Sequence, residues 1–355
     1  MDQNFWKRKK ILITGHTGFK GSWLATILKK FDANVIGFSK DIPTTPSMYE
    51  IVKVEDGIKN VVGNINDIQH INQVMNEFKP EIVIHMAAQA IVRESYKNPL
   101  ETLSTNIMGT ANVLDAIRNC DSVRVAIIVT SDKSYQVKKD QSKYREEDSM
   151  GGYDPYSSSK GCAEIITASY RNSFFNTEKF SEHKVALASV RAGNVIGGGD
   201  WGVDRLLPDI IRGIQNNSDI KIRNPDAIRP WQFVLDPLFG YIELAEKMWS
   251  YGDKFSEGWN FGPTIDDDKS VRWIIESIKK EMGEKINFEI DNSLQPHEEK
   301  YLRLDCSKAE KRLGCKNKLN LQDTILWTLN WYKEFIKGSE MKEFTEKQIE
   351  DYLAI

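Results

Sequence analysis

The stretch ITGHTGFKG (residues 13–21) decides the fold, because it sets three glycines between a predicted strand and a predicted helix. The strand is the apolar run KILIT, Lys10–Thr14, and residues 21–31 carry the periodicity of an amphipathic helix. The glycines, spaced GxxGxxG, are Gly15, Gly18 and Gly21. Glycines at such a junction let the backbone approach a pyrophosphate, which binds the free N–H groups of the helix N-terminus. A triplet alone is weak evidence, since glycines also make tight turns, but after a first strand it predicts a dinucleotide site.

Strand and helix patterns alternate through the first half of the chain. Further strands are predicted at residues 34–38, 81–87, 123–129 and 184–190, and further helices at residues 68–78, 100–118 and 156–175. Alternation with short loops predicts a parallel sheet covered on both faces. The expected fold class is α/β: a Rossmann-like doubly wound parallel sheet with a smaller mixed α/β C-terminal substrate lobe.

The regular alternation fails after residue 190, which predicts a second domain. RAGNVIGGGDWGVD (residues 191–204) and RNPDAIRPWQFV (residues 223–234) are expected to be loops. A helix over residues 237–248 is expected to pack back on the first sheet, and residues 342–352 to form a charged helix. The expected division is an NAD-binding domain over residues 1–190 together with 235–262, and a substrate-binding lobe over residues 191–234 and 263–355.

Composition excludes several classes of function. The net charge of −3 gives no excess that favours nucleic acid or an anionic membrane as a partner. No run approaches the roughly 18 apolar residues of a membrane span, and the N-terminus does not resemble a signal peptide. The four cysteines are scattered without zinc-ligand spacing. We therefore expect a cytoplasmic protein with free thiols and no metal site.

The end of the second strand normally distinguishes NAD from NADP, because an acid there bonds the ribose 2′-OH. Here the strand ends in Ser39 and Lys40, and Asp41 comes one residue late. Asp41 suits the ribose of NAD, whereas Lys40 suits the 2′-phosphate of NADP. These residues therefore do not distinguish an NAD site from an NADP site.

VTSDKSY (residues 129–135) ends a buried strand where ligands bind in doubly wound folds. It sets a hydroxyl, an acid and an amine side by side: Ser131, Asp132 and Lys133. Tyr156 and Lys160 lie four residues apart and therefore on one helix face. A lysine ammonium favours phenolate and lowers the tyrosine pKa from about 10, giving a base for an alcohol whose hydride leaves to nicotinamide. The alternatives are a structural Tyr–Lys pair and an exposed Asp–Lys ion pair worth under about 1 kcal/mol.

With these residues the sequence resembles the extended short-chain dehydrogenases/reductases, and within them the nucleotide-sugar 4,6-dehydratases. The motifs that carry the resemblance are TGHTGFKGSWL, HMAAQ, TSDKSY, YDPYSSSKGCAE, RAGNVIGGGDW with DRLLPD, RPWQFVLDPL and WNFGP. They span about residues 11–263. Most such dehydratases carry Asp-Glu where this chain has Asp132-Lys133, and members acting on CDP-hexoses carry Asp-Lys. The resemblance thus implies Ser131, Tyr156 and Lys160 as the superfamily's catalytic set.

The resemblance also implies binding residues and partners. The implied cofactor residues are Gly15, Thr17, Gly18, Phe19, Gly21, Ser39, Asn64, Ile65, His85, Ala87, Ala88, Tyr156 and Lys160. The implied substrate residues are Gln89, Asn194, Arg205 and Arg229. The cofactor would be NAD, tightly bound and recycled in place, the substrate a CDP-hexose, and the assembly a homodimer or homotetramer. Two residues depart from the family pattern: Asn64 replaces an acid, and Phe233 replaces a frequent histidine, which leaves another CDP-sugar or a modified hexose open.

The implied reaction is loss of water from the sugar. Tyr156 takes the C4 hydroxyl proton, Lys133 removes the C5 hydrogen, and Asp132 donates a proton to the departing C6 hydroxyl. For Lys133 to act as a base, its pKa must fall well below the usual value of about 10.4, either through burial or because another cation such as Lys160 lies nearby. The alternatives are a 4-epimerase or reductase, needing only Ser131, Tyr156 and Lys160, and a non-catalytic dinucleotide-binding regulator.

Overall fold

A computed structural model describes residues 2–140, 142–263, 268–283, 287–291, 293, 297 and 301–355. The strands are β1 Lys10–Thr14, β2 Asn34–Ser39, β3 Lys59–Val62, β4 Ile82–His85, β5 Val125–Val129, β6 Ala186–Ala192, β7 Asn194–Ile196, β8 Ile220–Ile222, β9 Ile228–Phe233, β10 Gly258–Phe261, β11 Asp268–Ser270 and β12 Phe288–Ile290. The α-helices are α1 Gln3–Trp6, α2 Phe19–Lys30, α3 Met48–Ile51, α4 Ile68–Phe78, α5 Val92–Lys97, α6 Pro99–Leu103, α7 Gly109–Arg118, α8 Pro155–Ser173, α9 Phe180–His183, α10 Leu206–Asn216, α11 Leu235–Phe255, α12 Val271–Met282, α13 Ser307–Leu313, α14 Leu321–Lys337 and α15 Met341–Ala354.

The main sheet has seven strands in the order β10-β6-β5-β4-β1-β2-β3. Every neighbouring pair is parallel, and β1 pairs with β4 so that Thr14 lies opposite His85. Alternate residues of β1 enter different cores, because Ile11 and Ile13 belong to one apolar cluster and Leu12 to the other. The two clusters lie on opposite faces of the sheet, as expected for a doubly wound fold. The strand order reverses between β1 and β4, which is where such folds bind ligands.

The helix predicted over residues 100–118 is interrupted. It consists of α6, a π-helical turn Ser104–Met108 and α7. The π turn carries the buried Asn106, whose amide donates to the backbone oxygen of Gln89 at 3.0 Å and to the Ser159 hydroxyl at 2.8 Å. These bonds join the turn after β4 to α8, which begins at Asp154-Pro155 because the Asp154 carboxylate accepts from Ser157 N at 2.9 Å.

The two stretches predicted as loops contain strands, so those predictions were wrong. Residues 223–234 include β9, the centre of a three-stranded sheet β11-β9-β7, and residues 191–204 include the end of β6 and all of β7. Residues 228–233 form a strand because they are buried and paired: Trp231 and Phe233 are 4% and 0% exposed, and β9 pairs in parallel with β7. Arginine and proline in this segment suggested a loop but do not prevent a short strand.

Further contacts join the C-terminal segments to the main sheet. Strand β10 pairs with β6 at its edge, and helix α15 contacts α2 and α14. Tyr352 of α15 stacks on Phe239 of α11 with ring centroids 5.1 Å apart. The domain boundaries given above stay a prediction. In the described part of the chain, no helix has both the length and the apolar character needed to cross a membrane.

Candidate active site

A cavity of about 920 Å³ opens at the carboxyl edge of the main sheet, near the upper end of the range for small-molecule sites. It brings together nearly all of the residues predicted from sequence. Those that line it are Gly15, Thr17, Gly18, Phe19, Gly21, Ser39, Asn64, Ile65, Ala87, Ala88, Gln89, Ser131, Asp132, Lys133, Tyr156, Lys160, Asn194, Arg205 and Arg229. No cluster of metal-ligating side chains occurs among the described residues.

The glycine turn between β1 and α2 has the shape of a phosphate cradle. Gly15 has a φ of +76°, and a Cβ there would lie 2.6 Å from Ala87 N. A Cβ on Gly21 would lie 2.1 Å from the Gly15 oxygen. Gly18 is the N-cap of α2 and caps it with no side chain, which leaves the N–H groups of the first helical turn for an anion. These residues therefore fit the pyrophosphate of a dinucleotide.

The end of β2 is held beneath this turn by side-chain hydrogen bonds. The Ser39 hydroxyl lies 2.9 Å from His16 Nδ1, and the Thr17 hydroxyl donates to the Asp41 backbone oxygen at 2.7 Å. Burial lowers the pKa of His16 to about 4, so the imidazole is neutral at pH 7. Lys40 is largely exposed and lies 3.7 Å from the Glu101 carboxylate.

His85 is the one predicted cofactor residue that does not line the cavity. It is 2% exposed, and its ring nitrogens lie 2.7 Å from the Thr14 hydroxyl and 3.1 Å from the Thr110 hydroxyl. Burial lowers its pKa to about 3. His85 therefore holds β1, β4 and α7 together beneath the site, and its position in the motif did not reveal that its side chain points away from the ligand edge.

Ser131, Asp132 and Lys133 form a compact turn at the end of β5. Asp132 is 3% exposed, its Oδ1 accepts from the Ser131 hydroxyl at 3.0 Å, and its buried Oδ2 has no hydrogen-bond partner among the residues that the structure describes. Burial raises the pKa of Asp132, against the lowering effect of the Lys133 charge. The exposed Asp–Lys ion pair considered from sequence is excluded, because the carboxyl group is buried.

Tyr156 and Lys160 face the same cavity from α8, but their electrostatics differ from the prediction. Burial raises the pKa of Tyr156, and the Ser131 hydroxyl only partly opposes this. Burial also lowers the pKa of Lys160 to about 8, against the raising effect of the Glu164 carboxylate. Lys160 Nζ donates to the Val129 oxygen at 3.4 Å. The phenol therefore stays protonated at pH 7, because desolvation of the phenolate outweighs the hydrogen bond with Ser131 and the charge of Arg205.

Lys20 is a cavity residue that the sequence reasoning missed. Its Nζ donates to the Tyr241 hydroxyl at 3.1 Å. Burial lowers the pKa of Lys20 to about 7, and the charges of Lys160 and Arg205 add to this effect. The available signal was a charged residue between glycines in the first turn of α2.

The predicted substrate arginines line the cavity but also have protein partners. Arg205 Nη1 lies 3.0 Å from Asp200 Oδ2, and this carboxylate raises the pKa of the guanidinium. Arg229 is 6% exposed on β9 and donates to the Ile228 oxygen at 3.0 Å. Both guanidinium groups thus lie at the cavity wall with protein partners already in place.

The side-chain amide of Gln89 is already used by the protein, since its Nε2 donates to the Ile91 oxygen at 3.0 Å and to the Thr102 hydroxyl at 2.9 Å. Asn194 begins β7 at the cavity wall. Phe233, which replaces a histidine frequent in relatives, is 0% exposed and packs edge-on against Trp327 with centroids 5.7 Å apart. Phe233 is a core residue and does not line the cavity.

Three charged residues missed from sequence link separate segments at the cavity wall. Asp204 Oδ1 accepts from Arg93 of α5 at 3.3 Å and from Arg223, which follows β8, at 2.9 Å. Both guanidinium groups lower the pKa of Asp204. These residues are far apart in sequence, so no motif or spacing along the chain predicts the cluster.

Comparison with known proteins agrees with this geometry. The family described as GDP-mannose 4,6 dehydratase matches residues 12–327. The chain is 48% identical over 354 residues to the CDP-glucose 4,6-dehydratase of Salmonella typhimurium, covering 100% of this chain and 99% of that protein. The structure resembles UDP-glucuronic acid 4-epimerase from Bacillus cereus (TM-score 0.78, 21% identity, 92% of this chain and 99% of that chain). It also resembles dTDP-glucose 4,6-dehydratase from Bacillus anthracis (TM-score 0.74, 19% identity, 92% and 97%). The match over most of the chain shows that it belongs to the GDP-mannose 4,6-dehydratase family of extended short-chain dehydrogenases/reductases.

Proposed function

We propose that the protein is a hydro-lyase that converts CDP-glucose to CDP-4-keto-6-deoxyglucose and water. The observation that carries the proposal is the buried Asp132 beside Lys133, facing the same cavity as Tyr156 and the glycine turn. A 4-epimerase needs no such acid–base pair. The full-length similarity to a CDP-glucose 4,6-dehydratase supports both the reaction and the cytosine nucleotide.

We propose NAD as the resident cofactor, held at the glycine turn and between Ser39, Asn64 and Ala87. Bound NAD would supply a hydride acceptor for C4 and a hydride donor for C6, and the positive charge of its oxidised ring would favour the Tyr156 phenolate. The B. cereus and B. anthracis proteins named above were both solved with NAD. In this chain Lys40, the residue suited to a 2′-phosphate, lies against Glu101, which supports NAD over NADP.

The protein's own groups divide the proton transfers. Tyr156 removes the C4 hydroxyl proton, which leaves a C4 ketone and makes the C5 hydrogen acidic. Lys133 takes the C5 proton while Asp132 donates a proton to the C6 hydroxyl, which leaves as water. Burial favours the neutral carboxyl form of Asp132 that this step needs.

The pyrophosphate of the nucleotide sugar is assigned to Arg205 and Arg229, because planar guanidinium groups make paired hydrogen bonds to phosphate oxygens. Asn194 and Gln89 complete the proposed substrate wall. A cytoplasmic location and assembly as a homodimer or homotetramer also stay proposals, as does the absence of nucleic-acid and membrane partners.

The test is incubation of the purified protein in D₂O with the CDP-, UDP-, GDP- and dTDP-hexoses, without added cofactor. The expected product is a 4-keto-6-deoxy sugar from CDP-glucose alone, with solvent deuterium at C5. A C4 epimer without deuterium at C5 would establish an epimerase, and four unchanged sugars would leave a binding protein.

The role of Lys133 has a separate test. Lys133→Met should abolish water loss and still allow CDP-glucose to reduce the bound cofactor, because Tyr156 and Lys160 are intact. A fully active variant would show that Lys133 is not the base.

A further inference from the structure

A buried ion pair lies directly beneath the catalytic residues. Glu164 of α8 and Arg191 of β6 have side chains only 3% and 5% exposed. Arg191 Nη2 and Nε donate to the two carboxylate oxygens of Glu164 at 2.8 and 2.9 Å. Glu164 also accepts from the Ser189 hydroxyl at 2.7 Å. The pair is therefore rigid and joined to both α8 and β6.

The same pair reaches both ends of the acid–base turn, residues 131–134. At the start of the turn, the Thr130 hydroxyl donates to Glu164 Oε1 at 2.5 Å. At its end, Arg191 Nη1 donates to the Tyr135 hydroxyl at 2.6 Å, and that hydroxyl donates to Asn260 Oδ1 at 2.6 Å. Both contacts are buried, so water does not compete with them.

The bonds inside the turn do not replace this link. The Ser131 hydroxyl donates to Asp132 Oδ1 and accepts from Lys133 N at 3.2 Å. The turn also packs directly against α8, and the Ser131 hydroxyl interacts with Tyr156, so the Glu164–Arg191 pair adds a fixed anchor at each end of the turn to these contacts. A buried ion pair is a poor source of stability, because desolvation offsets most of the attraction between the charges. Its contacts with Thr130 and Tyr135 therefore indicate a role in placement.

We propose that Glu164 and Arg191 are positioning residues that hold the acid–base turn at a set distance from Tyr156 and Lys160. The inference rests on the proposed dehydration. Tyr156 and Lys160 stay on α8 when one link is cut, whereas Asp132 and Lys133 gain freedom to move. Loosening the turn should thus slow elimination more than C4 oxidation.

The test cuts each link without removing a charge. Thr130→Val and Tyr135→Phe each delete one hydroxyl, and Thr130→Ser keeps the bond. Tyr352→Phe is the matched control, because it also deletes a buried tyrosine hydroxyl. That hydroxyl donates to the Asp236 carboxylate at 2.5 Å, and neither residue lines the cavity. Rapid mixing with CDP-glucose follows absorbance of the reduced nicotinamide, and quenched samples give the 4-keto-6-deoxy product.

In Thr130→Val and Tyr135→Phe, elimination should fall roughly 10- to 100-fold, the order expected for a displacement of about 1 Å. Formation of reduced cofactor should stay within about threefold of wild type, so the reduced form accumulates. Thr130→Ser and Tyr352→Phe should behave as wild type.

Equal slowing of oxidation and elimination in both link variants, or unchanged elimination, would overturn the inference and leave the ion pair a structural element. Thermal melting identifies a variant that fails to fold. In that case the variant that cuts the other link provides the test of the inference. A wild-type protein that makes no 4-keto-6-deoxy sugar would instead overturn the proposed function, so the two failures are distinguishable.

Discussion

Alanine at two glycines of the cofactor turn should have opposite consequences for folding and for binding. A Cβ on Gly21 would clash with the backbone of Gly15 and His16, lying 2.1 Å from the Gly15 oxygen and 2.8 Å from the His16 Cα. Gly18 faces the cavity, and the nearest protein atom to its Cβ is the Gly15 oxygen at 3.4 Å. Gly21→Ala should therefore damage the fold, whereas Gly18→Ala should damage cofactor binding alone.

The expected sizes follow from these contacts. Overpacking against backbone costs about 1–3 kcal/mol, and a chain of this length loses about 1–2 °C in Tm per kcal/mol, so Gly21→Ala should melt roughly 1–6 °C lower. Gly18 has φ −75° and ψ 167°, which alanine adopts without strain. Its gain of about 0.4–1 kcal/mol from a stiffer unfolded chain is offset by poorer helix capping. A methyl group against the pyrophosphate costs about 1–3 kcal/mol, or roughly 5- to 150-fold in NAD affinity.

The assay measures Tm, NAD released per chain on denaturation, and NAD affinity of the stripped protein. Gly18→Ala is expected to keep the wild-type Tm within about 1 °C and to lose most of its NAD. If it retains wild-type NAD affinity, this turn does not hold the pyrophosphate. If Gly21→Ala melts like wild type, the backbone contact is less rigid than its distances indicate.

Three further predictions concern single residues. Asp132→Asn should lower the rate of elimination by about 10²–10⁴-fold, because asparagine cannot supply the proton. It should also raise Tm at pH 7, because a buried carboxyl with a raised pKa opposes folding when it ionises. A fully active variant would remove Asp132 from the mechanism. Lys20→Met should flatten the rise of the unfolding free energy between pH 7 and 10. The pKa of Lys20 is lowered to about 7 in the folded protein, so in that pH range the unfolded chain binds one more proton than the folded one. Denaturant titrations that give parallel pH curves for the variant and the wild type would contradict this. Phe233→Ala should destabilise by about 3–5 kcal/mol without changing the nucleotide preference, measured by unfolding and by competition between CDP- and dTDP-glucose; altered preference would place Phe233 in the substrate site.

Local sequence patterns predicted the parts of this protein that depend on neighbours along the chain. The helix over residues 68–78 is α4 residue for residue, because its apolar stripe lies within the segment and its N-cap, Asp67, directly precedes it. The strand β9 was missed, because its residues are buried by pairing with β7 and not by any regular pattern of their own.

The sequence by itself determined the alternating strands and helices, the glycine spacing at the cofactor turn, and the two short segments that carry Ser131, Asp132, Lys133, Tyr156 and Lys160. The tertiary structure alone decided which of these groups are desolvated, that His85 points beneath the site, and that Lys20 enters the cavity. It also decided that Glu164 and Arg191 join both ends of the acid–base turn. Spacing along a helix or strand sets which side chains share a face, whereas burial and charge depend on segments that meet only after the chain has folded.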